Sequence, residues 1–149
     1  LPNPLQDGDF TGQVEAEWIL NEMKALVGGY AFETRAPDDT QLPRDTSGKT
    51  LPYIIVRFSQ PFSSAQGRNI GREWGQPHLL SFTILVISGD ADWTRQMMAK
   101  VMRTLLGQNA SNTSSDIEAT GGFSYGQGEA GSVPSRFELA QFFRMTINV

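Results

Sequence analysis

The sequence predicts an α+β fold: a mixed or antiparallel sheet with two helices packed on one face, in the order α-β-β-β-α-β-β. Three observations carry this expectation. Two stretches, 12–27 and 91–106, repeat apolar residues at helical spacing. Five others alternate, or run apolar over strand lengths, between connections bearing glycine and proline. Leu, Ile, Val and Phe together number 36 of the 149 residues, enough for a core and above the range where disorder is the default.

Residues 1–10, with Pro2, Pro4 and Asp7-Gly8-Asp9, read as an extended arm. A helix is expected from Gly12 to Val27. Its apolar stripe is Val14, Trp18, Ile19, Met23, Leu26 and Val27, with Glu15, Glu17, Glu22 and Lys24 on the other face. Thr11 suits the N-cap, and Gly28-Gly29 suits a left-handed stop. Tyr30 to Arg35 alternates as a half-buried strand, and 36–51 is a loop. Pro52 to Ser59 is a second strand, whose run Tyr53-Ile54-Ile55-Val56-Arg57-Phe58 implies burial on both faces in part. Residues 60–77 form a long connection, read as the tip of a hairpin. Leu79 to Ser88 follows as a strand with Leu80, Phe82, Ile84 and Val86 on one face and Leu79, Ser81, Thr83, Leu85 and Ile87 on the other.

Asp90 suits the N-cap of a second helix, Ala91 to Leu106. Trp93, Met97, Val101 and Leu105 lie four apart on it, Arg95, Lys100 and Arg103 face solvent, and Gly107 ends it. Residues 108–121 are expected as a polar mobile loop. Residues 121–131 hold five glycines and open with a short strand, Gly122 to Tyr125. Arg136 to Val149 closes the chain as a strand whose alternation slips between Gln141 and Phe143, where a bulge is expected. The length suits a single domain, 1–149.

Composition excludes several functions. Without cysteine, there is no disulfide scaffold, no Cys-based zinc site and no thiol nucleophile. A formal charge of −4 argues against broad binding to duplex DNA. Charged residues make up 19%, which leaves more surface free for partners. No apolar run approaches the roughly 20 residues that cross a bilayer. The chain opens without Met on Leu1-Pro2-Asn3-Pro4-Leu5, with neither the basic nor the apolar region of a signal peptide, so assembly in the cytoplasm is expected.

The catalytic signals are thin. Gly122-Phe123-Ser124-Tyr125-Gly126 matches the G-x-S-x-G turn of serine hydrolases, but His78 is the only histidine and precedes the serine, and no helix pattern follows. A Gly-rich turn is the preferred reading, and a small hydrolase using Ser124 is the alternative. Gly126 to Gly131 matches G-x-G-x-x-G without the helix that such a phosphate loop needs. His78 alone makes no metal site. Asp38-Asp39 and the pair Asp90 and Asp92 have ordinary roles in a loop and a cap. Asn109-Ala110-Ser111 and Asn112-Thr113-Ser114 match glycosylation sequons with no secretory signal to support them. No catalytic residue, cofactor or metal is expected, and the chain reads as a non-enzyme. The segment Gln66 to Gly75, with Arg68, Ile70, Arg72 and Trp74, has the residue types of interface cores. The competing reading is a solvated loop with Trp74 folded back on the sheet.

The chain resembles the tail terminator (tail completion) proteins of long-tailed bacteriophages. The likeness rests on the helix around Val14-Glu15-Ala16-Glu17-Trp18-Ile19-Leu20, the run Leu51-Pro52-Tyr53-Ile54-Ile55-Val56 and the Gly-rich hairpin with Trp74. It continues through Ser81 to Gly89 and the helix from Trp93 to Leu106, ending Arg103-Thr104-Leu105-Leu106-Gly107. It covers about residues 10–107 and, more loosely, the last strand, as element order and hydrophobic pattern rather than a chemical signature. The resemblance implies a homo-hexameric ring in the virion, at the head-proximal end of the tail. Such a ring sits on the tail-tube protein, ends tube polymerisation and offers a surface to the head–tail connector protein. DNA passes through the ring without being held tightly. Another neck component, a head–tail connector or adaptor, is the alternative. The arm and the loops 36–51 and 60–77 become the candidate contacts, with Arg68, Arg72 and Trp74 first, Ile70 beside them, and the strand residues Arg57 and Arg144 behind.

Overall fold

A computed structural model describes residues 12–59, 62–63, 77–127 and 136–148. Helix α1 (Gln13–Leu26) leads into β1 (Ala31–Glu33), then β2 (Tyr53–Phe58), the two-residue β3 (Phe62–Ser63) and β4 (Pro77–Ser88). Helix α2 (Ala91–Leu105) follows, and β5 (Glu118–Gln127) and β6 (Phe137–Asn148) end the order. The α+β class and the predicted order are as expected, with β3 as a short addition. The main path of the sheet is β1-β2-β4-β6-β5, and β3 pairs with β4 beside it. β1 and β2 are parallel and every other pair is antiparallel, so the sheet is mixed.

The side-chain period of two assigns the faces. Leu80, Phe82, Ile84 and Val86 of β4 join Ile54 and Val56 of β2 and Phe143, Met145 and Ile147 of β6 beneath the two helices. Ile19 and Met23 of α1 and Met97, Val101 and Leu105 of α2 fill that layer from above. Phe82 stacks on Phe143 with ring centroids 5.3 Å apart. On the opposite face Tyr53, Ile55, Leu85, Ile87 and Ala140 form a second cluster, covered by Leu42 of the 36–51 loop. Tyr53 to Val56 are therefore buried on both faces, as their apolar run predicts.

Short turns fix the helix directions. Gly28 and Gly29, at φ 62° and 97°, end α1 as predicted, and the Gly29 N–H donates to the Lys24 carbonyl at 2.9 Å. α1 then packs back on β1 and β2, while α2 follows β4 through Gly89-Asp90 and packs on β4 and β6. Because β1 and β2 oppose β4, the helices run antiparallel to each other. The N-terminus of α1 lies level with the C-terminus of α2.

Four expectations need correction. The N-cap of α1 is Gly12, at φ 69°, with no side-chain cap; its carbonyl already accepts from the Ala16 N–H at 2.9 Å. The buried stripe of α1 is Glu15, Ile19 and Met23, while Val14 is 66% exposed, because the face is turned by one residue. No bulge interrupts β6 against β4, whose register runs unbroken from Pro77↔Asn148 to Ser88↔Phe137. The register shifts lie in β5 instead, between Ala119 and Gly121 and between Ser124 and Gly126. Finally, residues 108–121 are not a free loop. Glu118 onward is β5, and the Gly107 and Ile117 N–H groups donate to the Ile117 and Gln108 carbonyls at 3.1 and 2.9 Å.

Candidate functional site

The pair of β2 with β4 that flanks residues 60–77 is as expected, while β3 and the start of β4 at Pro77 lie inside the stretch read as connection. β2 meets β4 from Tyr53↔Ile87 to Phe58↔Phe82, and β3 prolongs that side of β4 through Phe62↔Leu79 and Ser63↔His78. The Ser59 N–H donates to the Ser81 carbonyl at 2.8 Å between them. β2, β3 and β4 thus form the arms of one antiparallel hairpin, whose described residues stop at Ser63 and resume at Pro77, opposite Asn148. Arg68, Ile70, Arg72 and Trp74 lie outside the described residues.

Arg57 and Arg144 are described, and both project from the face of the sheet opposite the helices. Arg57 belongs to the row Arg57↔Thr83↔Phe142, and Arg144 to the next row, Ser81↔Arg144↔Glu118. Each already has work to do. Arg57 Nε donates to the Thr34 carbonyl at 3.3 Å, where Thr34 has φ 74°. Arg144 Nε pairs across strands with Glu118 Oε2 at 3.2 Å, both side chains being more than half exposed. These arginines are thus partly committed to their own sheet.

Sequence reasoning missed a cluster at the other end of the sheet, where the 36–51 loop meets α2. Asp90 Oδ1 accepts from the Asp92 and Trp93 N–H groups at 2.9 and 3.3 Å, which confirms the predicted cap. The Trp93 N–H is the main cause that holds the Asp90 carboxyl below its ordinary value, helped by Asp92 N–H and the Lys49 ammonium. Lys49 Nζ lies 3.4 Å from Asp90 Oδ2 and 5.6 Å from the centroid of the Trp93 ring. Gly89 lets the two segments close: its N–H donates to the Thr50 carbonyl at 2.8 Å, and a Cβ there would stand 2.8 Å from the Thr50 nitrogen. Beside this junction Leu51, Pro52, Trp93, Gln96, Met97 and Lys100 line an open groove of ≈ 220 Å³. The signal for the cluster was Asp90 alone; that Lys49 lies against it is set by tertiary folding.

The serine-hydrolase alternative loses its local geometry. Gly122 to Gly126 lies within the extended strand β5, whereas a nucleophile elbow needs a sharp turn from strand into helix. The Gly-rich turn preferred for this segment is likewise a strand. Among the described residues no three His, Cys, Asp or Glu side chains are placed to hold a metal ion. No described helix is long and apolar enough to cross a membrane.

No family model matches the sequence, and no curated protein matches it. Among solved structures, the chain is similar to one in a structure described as the virion of a native gene transfer agent (GTA) particle. The two share 15% identity and a TM-score of 0.50, over 88% of this chain and 92% of the other. At that identity the likeness is one of fold, and it extends over nearly the whole of both chains.

Proposed function

We propose that the chain is a non-enzymatic structural protein of a phage-like virion. In this reading it caps the tail tube as a six-membered ring, ends tube polymerisation and offers the joining surface for the head. The observation that carries the proposal is the fold itself: the same arrangement, at nearly the same length, occurs in a chain of a virion particle. The hairpin arms support it, since the sequence between them, residues 64–76, carries two arginines, an isoleucine and a tryptophan. A ring needs a heterologous contact that closes, with different patches on the two flanks of each protomer. A net charge of −4 suits a hole through which DNA passes, because a cationic lining would retain phosphates.

The test is binding to purified tail-tube protein, with solution mass and projection images of the product. Caps of six-fold appearance on tube ends, with polymerisation arrested, are the expected result. Binding to portal or connector complexes with no affinity for the tube would replace this reading by that of a neck adaptor. No affinity for either would sink the virion-joint reading.

A further inference from the structure

We propose that the groove between α2 and the start of β2 is a docking site for a proline-bearing acidic segment, and that its occupant is residues 1–9 of the same chain. The site is built on one flank of α2. Trp93, Gln96, Met97 and Lys100 recur at i, i+3, i+4 and i+7, so they line one side of the helix along two turns. Leu51 and Pro52 complete the lining. Both lead into β2, over which α1 lies, so the groove opens on the side of α2 that faces α1.

Its lining asks for an occupant with two features. Trp93, Leu51 and Pro52 are half-buried and Met97 is buried, an apolar floor with one aromatic ring that suits proline and leucine. Lys100, at one end, is exposed and forms no ion pair among the described residues, whereas Lys49, over the Trp93 ring, is held by Asp90. The Lys100 ammonium therefore calls for a carboxylate. Residues 1–9, Leu1-Pro2-Asn3-Pro4-Leu5-Gln6-Asp7-Gly8-Asp9, lie outside the described residues, and their sequence carries both features in that order.

The spacing matches as well. Prolines favour the polyproline II conformation, with three residues per turn and about 3.1 Å per residue. Leu1, Pro4 and Asp7 then share one side, with Pro4 and Asp7 about 9 Å apart. Trp93 and Lys100, two turns apart on α2, are separated by about 10 Å along its axis. Pro4 on Trp93 therefore sets Asp7 at Lys100. The chain also reaches. α1 begins level with the end of α2, and Lys100 lies about 7.5 Å back from Leu105 along that helix. The stretch from Asp7 to Gly12 spans about 16 Å, enough to cover that drop and a helix-to-helix spacing of about 10 Å. Docking in this way stores a candidate contact of the ring reading on the subunit's own surface, and it does not depend on that reading.

The chain has no cysteine, so engineered thiols report the contact cleanly. In the register above Leu5 falls level with Gln96. Full-length L5C/Q96C protein is oxidised mildly at high dilution, without tail-tube protein. The expected product is an internal disulfide in the monomer, well above that of an L5C/N112C control. Asn112 is exposed in the segment that follows α2, at the end of the molecule where α1 begins, so it samples an undocked arm. In the L5C/Q96C background D7K or K100E lowers the yield about threefold, since each opposes like charges, and the exchange D7K/K100E restores it. Circular dichroism checks that every variant remains folded. A disulfide between chains that rises with concentration would assign the groove to the arm of a neighbouring copy and overturn docking on the same chain. A yield no higher than the control, or one indifferent to the charge exchange, would overturn the arm as occupant altogether.

Discussion

Thr34 is the non-glycine residue with a positive φ among those described, at 74°, a conformation that a β-branched side chain resists. It persists because both sides of its peptide are held. Its N–H donates to the Val56 carbonyl at 2.8 Å, and its carbonyl accepts from Arg57 Nε at 3.3 Å. The geometry ends β1 and turns the chain toward the loop that covers the second core cluster. T34G should relieve the strain and stabilise the fold by about 1 kcal/mol in urea unfolding. R57A should cost about 1 kcal/mol, and less in the T34G background, because the guanidinium then has less strain to hold. Equal costs in both backgrounds would show that Arg57 does not brace the turn. Asp90 gives a pH dependence at the same scale. Its folded pKa lies below the ordinary 3.8, chiefly through the Trp93 N–H, so its stabilisation is complete above that value. The stabilisation is lost as pH falls through the depressed folded pKa. The thermal midpoint of the wild type should therefore drop more steeply below pH 4 than that of D90N, and parallel curves would refute the assignment.

Elements were legible where periodicity and burial agree, and less so where polar residues do structural work. β4 is the clear case: its alternating apolar face predicted the helix-side layer from Leu80 to Val86 residue by residue. The slip expected between Gln141 and Phe143 is absent from β6, and the register shift lies in the neighbouring strand β5. Ala119 pairs with Phe143 and Gly121 with Phe142, so Thr120 is the extra residue and β6 itself stays regular. One sequence cannot say which of two paired strands carries a bulge. Residues 108–117 hide for another reason. Ser, Thr and Asn read as solvated loop, yet the same groups make local hydrogen bonds. The Ser111 N–H donates to Ser114 Oγ at 3.0 Å, and the Ser115 N–H donates to the Thr146 carbonyl at 2.7 Å. Ser115 Oγ accepts from the Thr146 N–H at 2.9 Å, and Ala110 and Ile117 are buried beneath. S115A should therefore destabilise by about 1 kcal/mol and speed amide exchange at Thr146. Unchanged exchange at Thr146 would return this segment to the status of a free loop. The surroundings of the candidate contacts were the least legible, because nothing local in the sequence tells that Arg57 is held by Thr34, or that Arg144 faces Glu118.

Across the whole molecule, the proposed function gives folding and assembly to different segments, which can be tested by separating them. The described residues of the helix-side core come from β1, β2, β4, β6, both helices and the 108–117 segment. β4 is paired along its full length with β6, from Pro77↔Asn148 to Ser88↔Phe137, so its register does not depend on the hairpin tip. Replacing residues 64–76 by a short glycine-bearing turn from Ser63 to Pro77 should therefore leave the far-ultraviolet spectrum unchanged. The thermal midpoint should shift by only a few degrees, since a shorter loop closes at little entropic cost. The same variant should lose binding to tail-tube protein, because Arg68, Ile70, Arg72 and Trp74 go with the tip. R68A/R72A and W74A in the full-length chain should each weaken that binding, by about tenfold or more if these residues form the centre of the contact. Should the trimmed protein fold and still cap tubes, the contact lies elsewhere, with the 36–51 loop and its junction on α2 next in line. Should it fail to fold, the tip belongs to the core, and the two point-substituted proteins alone decide whether it also meets the tube.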